Sequence, residues 1–565
     1  MLRLCVRSVL CSTVGLCLAA PSARTQPPAA LDTSPFGFSC DHQTTFTLDQ
    51  YCARMAEAGI TWIRGFPTAG TTEPERGKFD WTVVDRFLAT ADQNRMAVSG
   101  LLFYLPPWIE TDAVKLPVKD LPGWSEYVSQ VVTHSKDRVR YWEVWNETPN
   151  FIGEGKAPDY AQTVVAAYDA AKAADPTCQV GLSIQSNNVN WIEQVIQAGA
   201  KEHYDYISVH PYETLGLVES DGCEPEFMSI VPTLRKMLAA QDPARAEAPI
   251  WFTEIGFDAR ESEVHQASAL VKAFAMGLAQ GVTRINWFEG IDGDSGPMGL
   301  LRADGSPRLA YAAMTNLTRH LGASPQYEGR LHVDNGYGFV FQGADGPAMV
   351  AWARPGTTGR VSFEAPVHTV DPLTGATTQG TTCPLTGVPV LVTDVPAALV
   401  ADARAYGAQP FPWHDGYGYS KASSVWIAMG DPSEERGLHY IQADRSSTAC
   451  EAYGVPARDC SKGAGQSFSV APEFLSYTTE PITITAVLRR NAENENAGFN
   501  LWYESTTGIR GTGEWYTIPG NDQWYTKTWT ITDAQFVGKW GYNFLLNGDT
   551  PRPYYLRSVT VSKVK

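Results

Sequence analysis

Two glutamates in this sequence lie at the ends of strongly apolar runs, where a lone carboxylate is costly to bury. Glu147 closes the segment RYWEVWNE (140–147), and Glu254 lies near the end of PIWFTEIGF (249–257). Two carboxyl groups that face one substrate can divide the roles of proton donor and nucleophile, because burial and mutual repulsion raise the pKa of one of them. Such a pair suits hydrolysis of a glycosidic bond, which passes through an oxocarbenium-like transition state.

Polar and aromatic side chains at or near the ends of neighbouring apolar runs are candidates for contact with a sugar. The candidate substrate-binding residues are Arg64, Trp108, Asn146, His210, Tyr212 and Trp287. Arg64 is expected to keep the nucleophilic carboxylate ionised, since a nearby positive charge favours the charged form of an acid. Asn146 is placed to hydrogen-bond a sugar 2-hydroxyl, and the two indole rings are flat surfaces on which a sugar can stack.

The elements that must position these residues can be read from the apolar pattern. Eight apolar runs of strand length, between residues 36 and 292, alternate with stretches of helical periodicity such as YAQTVVAAYDAAKAA (160–174). This alternation predicts parallel strands joined by helical crossovers. Eight such units within residues 32–322 have the size and order of an α/β fold, a closed (β/α)8 TIM barrel, whose active site forms at the carboxyl ends of the strands.

The end of the fourth run requires a local irregularity. Strict alternation of side chains along a strand would send Asn146 and Glu147 to opposite faces. Both residues are expected to face the barrel mouth, so we predict a bulge or a sharp twist at this strand end.

Helical periodicity ends after the barrel, and alternating strands separated by Gly, Asp and Pro turns continue to the end of the chain. We predict a small β-sandwich at 323–402 and a C-terminal β-sandwich at 403–565, with a linker-like segment at 401–412. The C-terminal region contains aromatic residues that suit either core packing or carbohydrate binding: Trp502, Tyr503, Trp515, Tyr516, Trp524, Tyr525, Trp529 and Trp540.

The first 25 residues have the layout of a secretory signal peptide. Arg3 and Arg7 precede an apolar stretch, and small residues follow around Ala19 and Ala23. A membrane anchor is the less favoured interpretation, because the apolar stretch is shorter than the ~20 residues that span a bilayer. The sequence therefore predicts a secreted or periplasmic protein, with no membrane insertion after the signal is removed.

Composition limits which partners and cofactors can be expected for this protein. A formal net charge of -17 and a pI near 5.1 disfavour nucleic acid, because phosphate backbones are bound by clustered Lys and Arg. Neither a metal nor another cofactor is predicted, since no His-x-His or Cys-x-x-Cys spacing is present. Calcium at Asp292 and Asp294 is an alternative. The pattern carries no prediction of oligomeric state.

Seven cysteines follow the predicted signal. In an exported protein, cysteines that are close in sequence are candidates for disulfides. The two expected pairs are Cys40 with Cys52 and Cys450 with Cys460. Because seven is odd, at least one thiol is expected to stay free.

The strand ends resemble those of a known enzyme class. Trp145-Asn146-Glu147 on a fourth strand, His210-Pro211-Tyr212 on a sixth, Thr253-Glu254 on a seventh and Trp287 on an eighth are similar to the retaining glycoside hydrolases of clan A. Glycoside hydrolase family 39 is the most similar family, although its members read Asn-Glu-Pro, where this chain inserts Thr148. The resemblance implies that Glu147 is the acid/base, that Glu254 is the nucleophile, and that Tyr212 or His210 lies beside the nucleophile.

Taken together, these patterns favour a secreted retaining glycoside hydrolase that cleaves a β-linked poly- or oligosaccharide. Two alternatives remain open at this point. An inverting enzyme would hold its carboxyl groups ~6.5–9.5 Å apart, whereas retention requires ~5–5.5 Å. A carbohydrate-binding protein on a degenerate barrel would bind sugar without turnover.

Overall fold

The computed structural model describes residues 33–416, 418–441, 446–491, 497–548, 550 and 552–564. The predicted signal segment, residues 1–25, lies outside the described residues. Eight parallel strands close into a barrel in chain order, and the last strand pairs with the first. The barrel strands are β1 (Phe36–Ser39), β2 (Trp62–Arg64), β3 (Ala97–Leu102), β4 (Val139–Thr148), β5 (Gln179–Gln185), β6 (Tyr206–His210), β7 (Ile250–Ile255) and β8 (Ile285–Phe288).

Helices surround this barrel and continue beyond it. They are α1 (Cys52–Glu57), α2 (Ala69–Thr72), α3 (Thr82–Gln93), α4 (Leu121–Ser135), α5 (Ala157–Ala174), α6 (Val189–Val195), α7 (Tyr212–Asp221), α8 (Glu224–Phe227), α9 (Ile230–Gln241), α10 (Glu263–Ala279), α11 (Leu309–Leu321) and α12 (Ala397–Gly407). In α5 the buried residues include Tyr160, Val164, Ala167 and Ala171, whose three- and four-residue spacing forms one apolar face. The predicted (β/α)8 barrel is confirmed.

The end of β4 departs from regular strand geometry, as the sequence predicts. Its register with β5 shifts between Val144 and Thr148, and both Trp145 (φ 70°) and Glu147 (φ 46°) adopt left-handed backbone conformations. The fully buried Trp145 ring anchors this segment in the barrel wall. As a result Asn146 and Glu147, although adjacent in sequence, both line the same cavity.

The barrel is followed by one antiparallel sheet of six strands, ordered β13-β12-β14-β11-β10-β9. Its strands are β9 (Gln326–Val333), β10 (Gly336–Gly343), β11 (Gly346–Ala353), β12 (Gly359–Val370), β13 (Thr377–Leu385) and β14 (Val390–Thr393). One face, which includes Phe339 and Trp352, belongs to the barrel core, and the other packs with Val400 and Ala403 of α12. The sheet is therefore covered by the barrel on one face and by α12 on the other, and not by a second sheet as in the predicted sandwich. The segment expected to be a linker forms most of α12.

The C-terminal region contains two antiparallel sheets, of seven and five strands. The strands are β15 (Ser424–Ala428), β16 (Glu434–Arg436), β17 (Leu438–Ile441), β18 (Thr448–Ala452), β19 (Val455–Asp459), β20 (Gly465–Val470), β21 (Ile482–Arg490), β22 (Gly498–Ser505), β23 (Gly508–Thr517), β24 (Tyr525–Ile531), β25 (Phe544–Asn547) and β26 (Tyr554–Lys563). Alternate residues of β21, such as Ile484 and Leu488, share one buried core with Phe499 and Leu546 of the other sheet.

The C-terminal region is joined to the barrel by buried hydrogen bonds. Asn187 donates its side-chain amide to the carbonyl of Val537 at 2.9 Å, and Asn190 donates to a carbonyl of the C-terminal region at 2.8 Å. The carboxylate of Glu504 accepts three backbone N–H groups of residues 537–539, at 2.8, 2.9 and 2.6 Å. Because these polar groups are buried, their hydrogen bonds fix the loop against the barrel.

The cysteines differ from the sequence prediction. All seven cysteines in the described residues are free thiols. Cys40 Sγ lies 3.2 Å from the hydroxyl of Tyr51, and Cys52 Sγ lies 3.6 Å from the sulfur of Met96. The pairs Cys40–Cys52 and Cys450–Cys460 were therefore wrong, because closeness in sequence does not aim two side chains at each other. In the described part of the chain, no helix has both the length and the hydropathy to cross a membrane.

Candidate active site

A cavity of about 390 Å³ opens at the carboxyl ends of the barrel strands. Its size lies within the range that is usual for small-molecule sites. Five of the eight residues predicted from sequence line it: Arg64, Asn146, Glu147, Tyr212 and Glu254. These residues come from β2, β4, the start of α7 and β7, so the barrel geometry brings them together from positions far apart in the chain.

Glu254 is held on both carboxylate oxygens. Its Oε1 is ion-paired with the guanidinium of Arg64, and the hydroxyl of Tyr212 donates to Oε2 at 3.0 Å. The residue is only 8% exposed, so these partners replace most of the water that would otherwise solvate the charge. An arginine and a hydroxyl donor thus fix the direction of both carboxylate oxygens, as a nucleophile requires.

Arg64 is also bound to a second, fully buried acid. Its Nε and Nη2 donate to the two oxygens of Glu143 at 3.0 and 2.8 Å, and Nη2 also donates to Oδ1 of Asn146 at 2.7 Å. Burial alone would raise the pKa of Glu143, but the charge and hydrogen bonds of Arg64 hold it below its ordinary value. Glu143 is therefore an internal ion-pair partner that fixes the arginine beneath Glu254.

Glu147 is held differently, by an imidazole and an amide instead of a guanidinium. Its Oε1 lies 3.1 Å from Nδ1 of His210, and Asn150 donates to Oε2 at 3.3 Å. The other ring nitrogen of His210 lies 3.0 Å from the hydroxyl of Thr253. Burial favours the protonated acid, but the hydrogen bond and charge of His210 set the pKa of Glu147 below its usual value. The backbone N–H of Glu147 donates to Ser183 Oγ at 3.1 Å, which braces the strand end.

The two candidate catalytic acids face each other. One carboxylate oxygen of Glu147, one of Glu254 and a ring nitrogen of His210 all lie within 4.8 Å of one another. This closeness fits the ~5–5.5 Å separation of a retaining pair better than the ~6.5–9.5 Å of an inverting pair. Three such atoms can also ligate a metal, but both nitrogens of His210 already have partners and Arg64 already neutralises Glu254. The arrangement therefore suits proton transfer and nucleophilic attack.

Three predicted substrate-binding residues do not line the cavity. His210 is 1% exposed and lies behind Glu147, so it positions the acid and does not form the wall. Trp287 is completely buried, and the ring that β8 presents to the cavity is that of the next residue, Phe288. Trp108 packs beneath the guanidinium of Arg76, at 4.9 Å from its ring centroid, outside the cavity lining. The structure thus places none of these three side chains in the cavity wall, and their contact with sugar stays a prediction.

The cavity also has an acidic rim, of which only Asp294 was named from the sequence, as part of a calcium alternative. Asp41 and Asp294 line the cavity, and the backbone N–H of Asp294 donates to Asp41 at 3.0 Å. Burial and the hydrogen bond with Asp41 raise the pKa of Asp294. Beneath them, burial and the charge of Asp41 raise the pKa of Glu289 to about 9, so Glu289 is a neutral acid at neutral pH. The only signal for this rim was the acid-rich loop after β8, in which Asp292 is ion-paired with Arg308.

Comparison with known proteins supports the barrel and finds similarity to glycoside hydrolases. The model of the family described as Glycosyl hydrolase family 10 matches residues 68–211. The chain is 24% identical to Endo-1,4-beta-xylanase 5 of Arabidopsis thaliana over 231 residues, 38% of this chain and 38% of the relative. It is 31% identical to Endo-1,4-beta-xylanase A of Phanerodontia chrysosporium over 140 residues, 23% of this chain and 32% of the relative. The chain therefore spans about a third of the length of these curated relatives.

One solved structure shares the overall barrel. It is a family 39 glycoside hydrolase from the gut symbiont Bacteroides cellulosilyticus WH2, with a TM-score of 0.54 and 20% sequence identity, covering 64% of this chain and 81% of that one. The family 10 match contains Glu147 and His210 but ends before Glu254. The segment that contains Glu147 is thus similar to glycosyl hydrolase family 10. The barrel as a whole has the fold of a family 39 glycoside hydrolase.

Proposed function

We propose that this protein is a retaining glycoside hydrolase that cleaves a β-linked poly- or oligosaccharide by double displacement. Glu147 is the general acid/base and Glu254 is the nucleophile. The observation that carries the proposal is the approach of one oxygen from each acid to within 4.8 Å in one open cavity. At this separation the second acid attacks the sugar itself, since no room is left between them for a water molecule to invert the centre.

In the first step Glu254 attacks the anomeric carbon while Glu147 protonates the departing oxygen. Arg64 and Tyr212 fix the direction of the two oxygens of Glu254 before the sugar arrives. This fixed orientation lowers the barrier because the carboxylate does not have to reorganise during attack. Asn146, held by Arg64 at 2.7 Å, lies at the cavity wall where it can hydrogen-bond a sugar hydroxyl.

In the second step Glu147 acts as a base and removes a proton from the water that hydrolyses the glycosyl-enzyme. The contact of His210 with Glu147, at 3.1 Å, stabilises the ionised form that this step needs. A bound sugar displaces water from Glu147 and so raises its pKa before the first step, because desolvation disfavours a carboxylate. The same histidine contact thus assists the step in which the acid/base must be charged.

The named activities of the relatives suggest which substrates to test first. Both curated relatives are named endo-1,4-beta-xylanases, so β-1,4-xylan and xylo-oligosaccharides are the first candidates. Family 39 is the assignment that we propose within clan A, supported by the shared barrel and the strand-end residues. Secretion or export to the periplasm is also proposed, from the predicted signal peptide, and N-terminal sequencing of the mature protein would test it.

Turnover of aryl β-glycosides and xylans, with the anomeric configuration of the first product followed by NMR, tests the assignment. We expect a β-configured first product. Glu254→Ala should remove activity by roughly 10⁴-fold or more, and azide should restore turnover by forming an α-glycosyl azide. Glu143→Ala is the matched control, because it also breaks a pair with Arg64 but opens no space beside the anomeric carbon. An α-configured first product, or sugar binding without turnover on every substrate, would contradict the proposal.

A second function is proposed for the C-terminal sandwich, which is attachment to polysaccharide. Trp502 and Trp515 are 37% and 38% exposed on the adjacent strands β22 and β23, whereas Tyr503 and Trp529 are 5% exposed in the core. Exposed rings on a sheet can stack on sugars. Trp502→Ala with Trp515→Ala should reduce retention on insoluble xylan while leaving hydrolysis of soluble oligosaccharides unchanged. Equal retention of the double variant and the parent would rule this surface out.

A further inference from the structure

A largely buried cluster of potential metal ligands lies outside the active site, where the barrel meets the C-terminal sandwich. Cys223 and Glu226 belong to the barrel, immediately before and within α8. Glu435 and His439 belong to β16 and β17 of the sandwich, and His414 lies between α12 and β15. Ligands from three separate parts of the chain therefore converge at one junction.

The atoms are close enough to share an ion. One ligand atom each from Cys223, Glu226 and His439 all lie within 4.8 Å of one another, and the same holds for His414, Glu435 and His439. The two imidazole rings are stacked, with centroids 3.5 Å apart and planes 8° from parallel. Tetrahedral zinc sites are built from thiolate, imidazole and carboxylate ligands of this kind.

His439 is oriented as metal-binding histidines usually are. Its Nδ1 lies 2.9 and 3.0 Å from the two oxygens of Glu435. Its Nε2 is buried and has no hydrogen-bond partner. A carboxylate on one ring nitrogen fixes the tautomer and leaves the other nitrogen for an ion. A buried polar atom without a partner is unfavourable, so Nε2 is the observation in this cluster that points to a ligand.

Glu226 is fixed in the same manner. His414 Nε2 lies 3.0 Å from each of its oxygens, and Ser469 donates to Oε1 at 2.6 Å. Cys223 is completely buried and packs with Leu217 and Ile441. A thiol at such a site is shielded from solvent and from other thiols, so it remains available to an ion.

We propose that Cys223, Glu226 and His439 bind one Zn²⁺ ion tetrahedrally, with water as the fourth ligand, and that this ion ties the barrel to the C-terminal sandwich. Glu435 and His414 orient the imidazole and the carboxylate. Binding displaces the thiol proton of Cys223 and any proton on Nε2 of His439, because the ligands must be deprotonated. Since two ligands come from the barrel and one from the sandwich, the ion stabilises the docked arrangement of the two.

The test uses the purified full chain, dialysed against ZnCl₂ and then against buffer, with zinc counted by mass spectrometry. We expect one zinc per chain in the parent, loss of that zinc in Cys223→Ser and in His439→Gln, and retention in Cys178→Ser. Cys178 is the matched control because it is a buried free thiol of the barrel outside the cluster. Circular dichroism of each variant establishes that it is folded, and His439→Gln serves if Cys223→Ser does not fold.

Cobalt and thermal unfolding provide independent measurements. Co²⁺ added to the zinc-free parent should give a thiolate-to-cobalt charge-transfer band that is lost in both cluster variants. ZnCl₂ should raise the unfolding temperature of the parent and of Cys178→Ser only. The proposal is overturned if the parent retains no zinc and shows no cobalt band. It is equally overturned if both cluster variants keep their zinc while Glu147→Gln loses it, since the ion then lies at the active site.

Discussion

The two ends of the barrel interior differ in composition, since one end is ionic and the other is aromatic. At the carboxyl ends of the strands, Arg64, Glu143 and Glu254 form a buried ionic group. Towards the amino ends, aromatic rings fill the same cylinder: Trp62 contacts Tyr141 at 5.3 Å, and Tyr206 stacks on Trp251 at 4.1 Å between centroids. The change occurs over two residues of a strand, from Trp62 to Arg64 in β2 and from Tyr141 to Glu143 in β4.

The difference shows where this fold gains stability and where it gives stability up. Rings that are buried against one another contribute hydrophobic and packing energy, and Gly181 leaves the space that the Tyr206 ring occupies. Burying ions carries a desolvation penalty that their pairing only offsets, so the ionic group at the carboxyl ends of the strands contributes little net stability. The barrel therefore has a stabilising aromatic layer at the amino ends of its strands, called the lower layer here, and an ionic layer at the carboxyl ends that contains the candidate catalytic acids. Variants in the two layers should separate effects on stability from effects on turnover.

The largest effect is expected from Arg64→Met. Loss of the cation leaves two buried carboxylates unpaired, so unfolding free energy at pH 7 should fall by about 3–5 kcal/mol, and turnover should fall with it. The pKa of Glu143, which Arg64 holds low, should then rise above its unfolded value. A raised folded pKa adds stability below the unfolded pKa that is lost as pH rises, so the deficit should be smaller near pH 4.5. Urea unfolding at both pH values measures it.

Arg284→Met is the matched control at the lower end, where the guanidinium lies 4.2 Å from the Trp62 ring centroid. It should lose cation–π contacts with Trp62 and Trp251, each worth about 0.5–2 kcal/mol, and a hydrogen bond to the carbonyl of Thr283, and it should keep its turnover. Comparable loss of turnover in the two arginine variants would break the distinction between the two ends.

Trp251→Ala should reduce stability nearly as much as Arg64→Met but should leave the chemistry intact. Removal of a buried tryptophan costs about 3–5 kcal/mol because a cavity remains, and Trp251 contacts rings from three other strands. Chemical unfolding gives the stability, and kcat/KM per folded molecule gives the activity. A fall in kcat/KM beyond the fall in folded fraction would show that the lower layer also positions the acids.

Tyr212→Phe should affect activity with little effect on stability. It removes one hydrogen bond to a charged carboxylate, at 3.0 Å, worth about 1.5–3 kcal/mol. If that energy acts on the transition state, kcat should fall roughly 10- to 150-fold. Tyr206→Phe removes the matching hydroxyl from the lower layer and should leave kcat unchanged. The role assigned to Tyr212 would be refuted if both variants retained the parent kcat.

The smallest expected effect is a shift in pH dependence. His210→Gln removes the group that holds the pKa of Glu147 low, so burial should then raise that pKa. Because a general acid must be protonated, the alkaline limb of kcat/KM should move to higher pH. His210→Asn keeps a donor near the Nδ1 position and should move the limb less. A limb that stays in place or moves to lower pH would count against Glu147 as the proton donor.

The sequence was most informative where backbone geometry alone places the side chains. Carboxyl ends of parallel strands converge in a barrel, so Arg64, Glu147 and Glu254 could be placed together from their positions in apolar runs. The irregular end of β4 could also be inferred, because both Asn146 and Glu147 were needed at the cavity.

Features that depend on side-chain direction or on distant packing could not be read in this way. In β8 the residue selected from the sequence was Trp287, whose side chain is buried. The residue that lines the cavity is the next one, Phe288. Trp108 lies in a loop and packs against Arg76, which comes from another loop distant in sequence. The cluster around His439 draws on residues more than two hundred positions apart, so no local spacing could signal it.

The loop held by Glu504 has a consequence for anyone who shortens this protein. Its carbonyls accept hydrogen bonds from Ser186 and Asn187. These residues follow β5 only a few positions after Ser183, whose hydroxyl accepts the backbone N–H of Glu147 at the end of β4. A shortened protein that contained only the barrel would leave the side chains of Ser186 and Asn187 without their hydrogen-bond partners, close to the candidate active site. We therefore expect that a shortened version of the protein has to keep the sandwich for the end of β5 to hold its position.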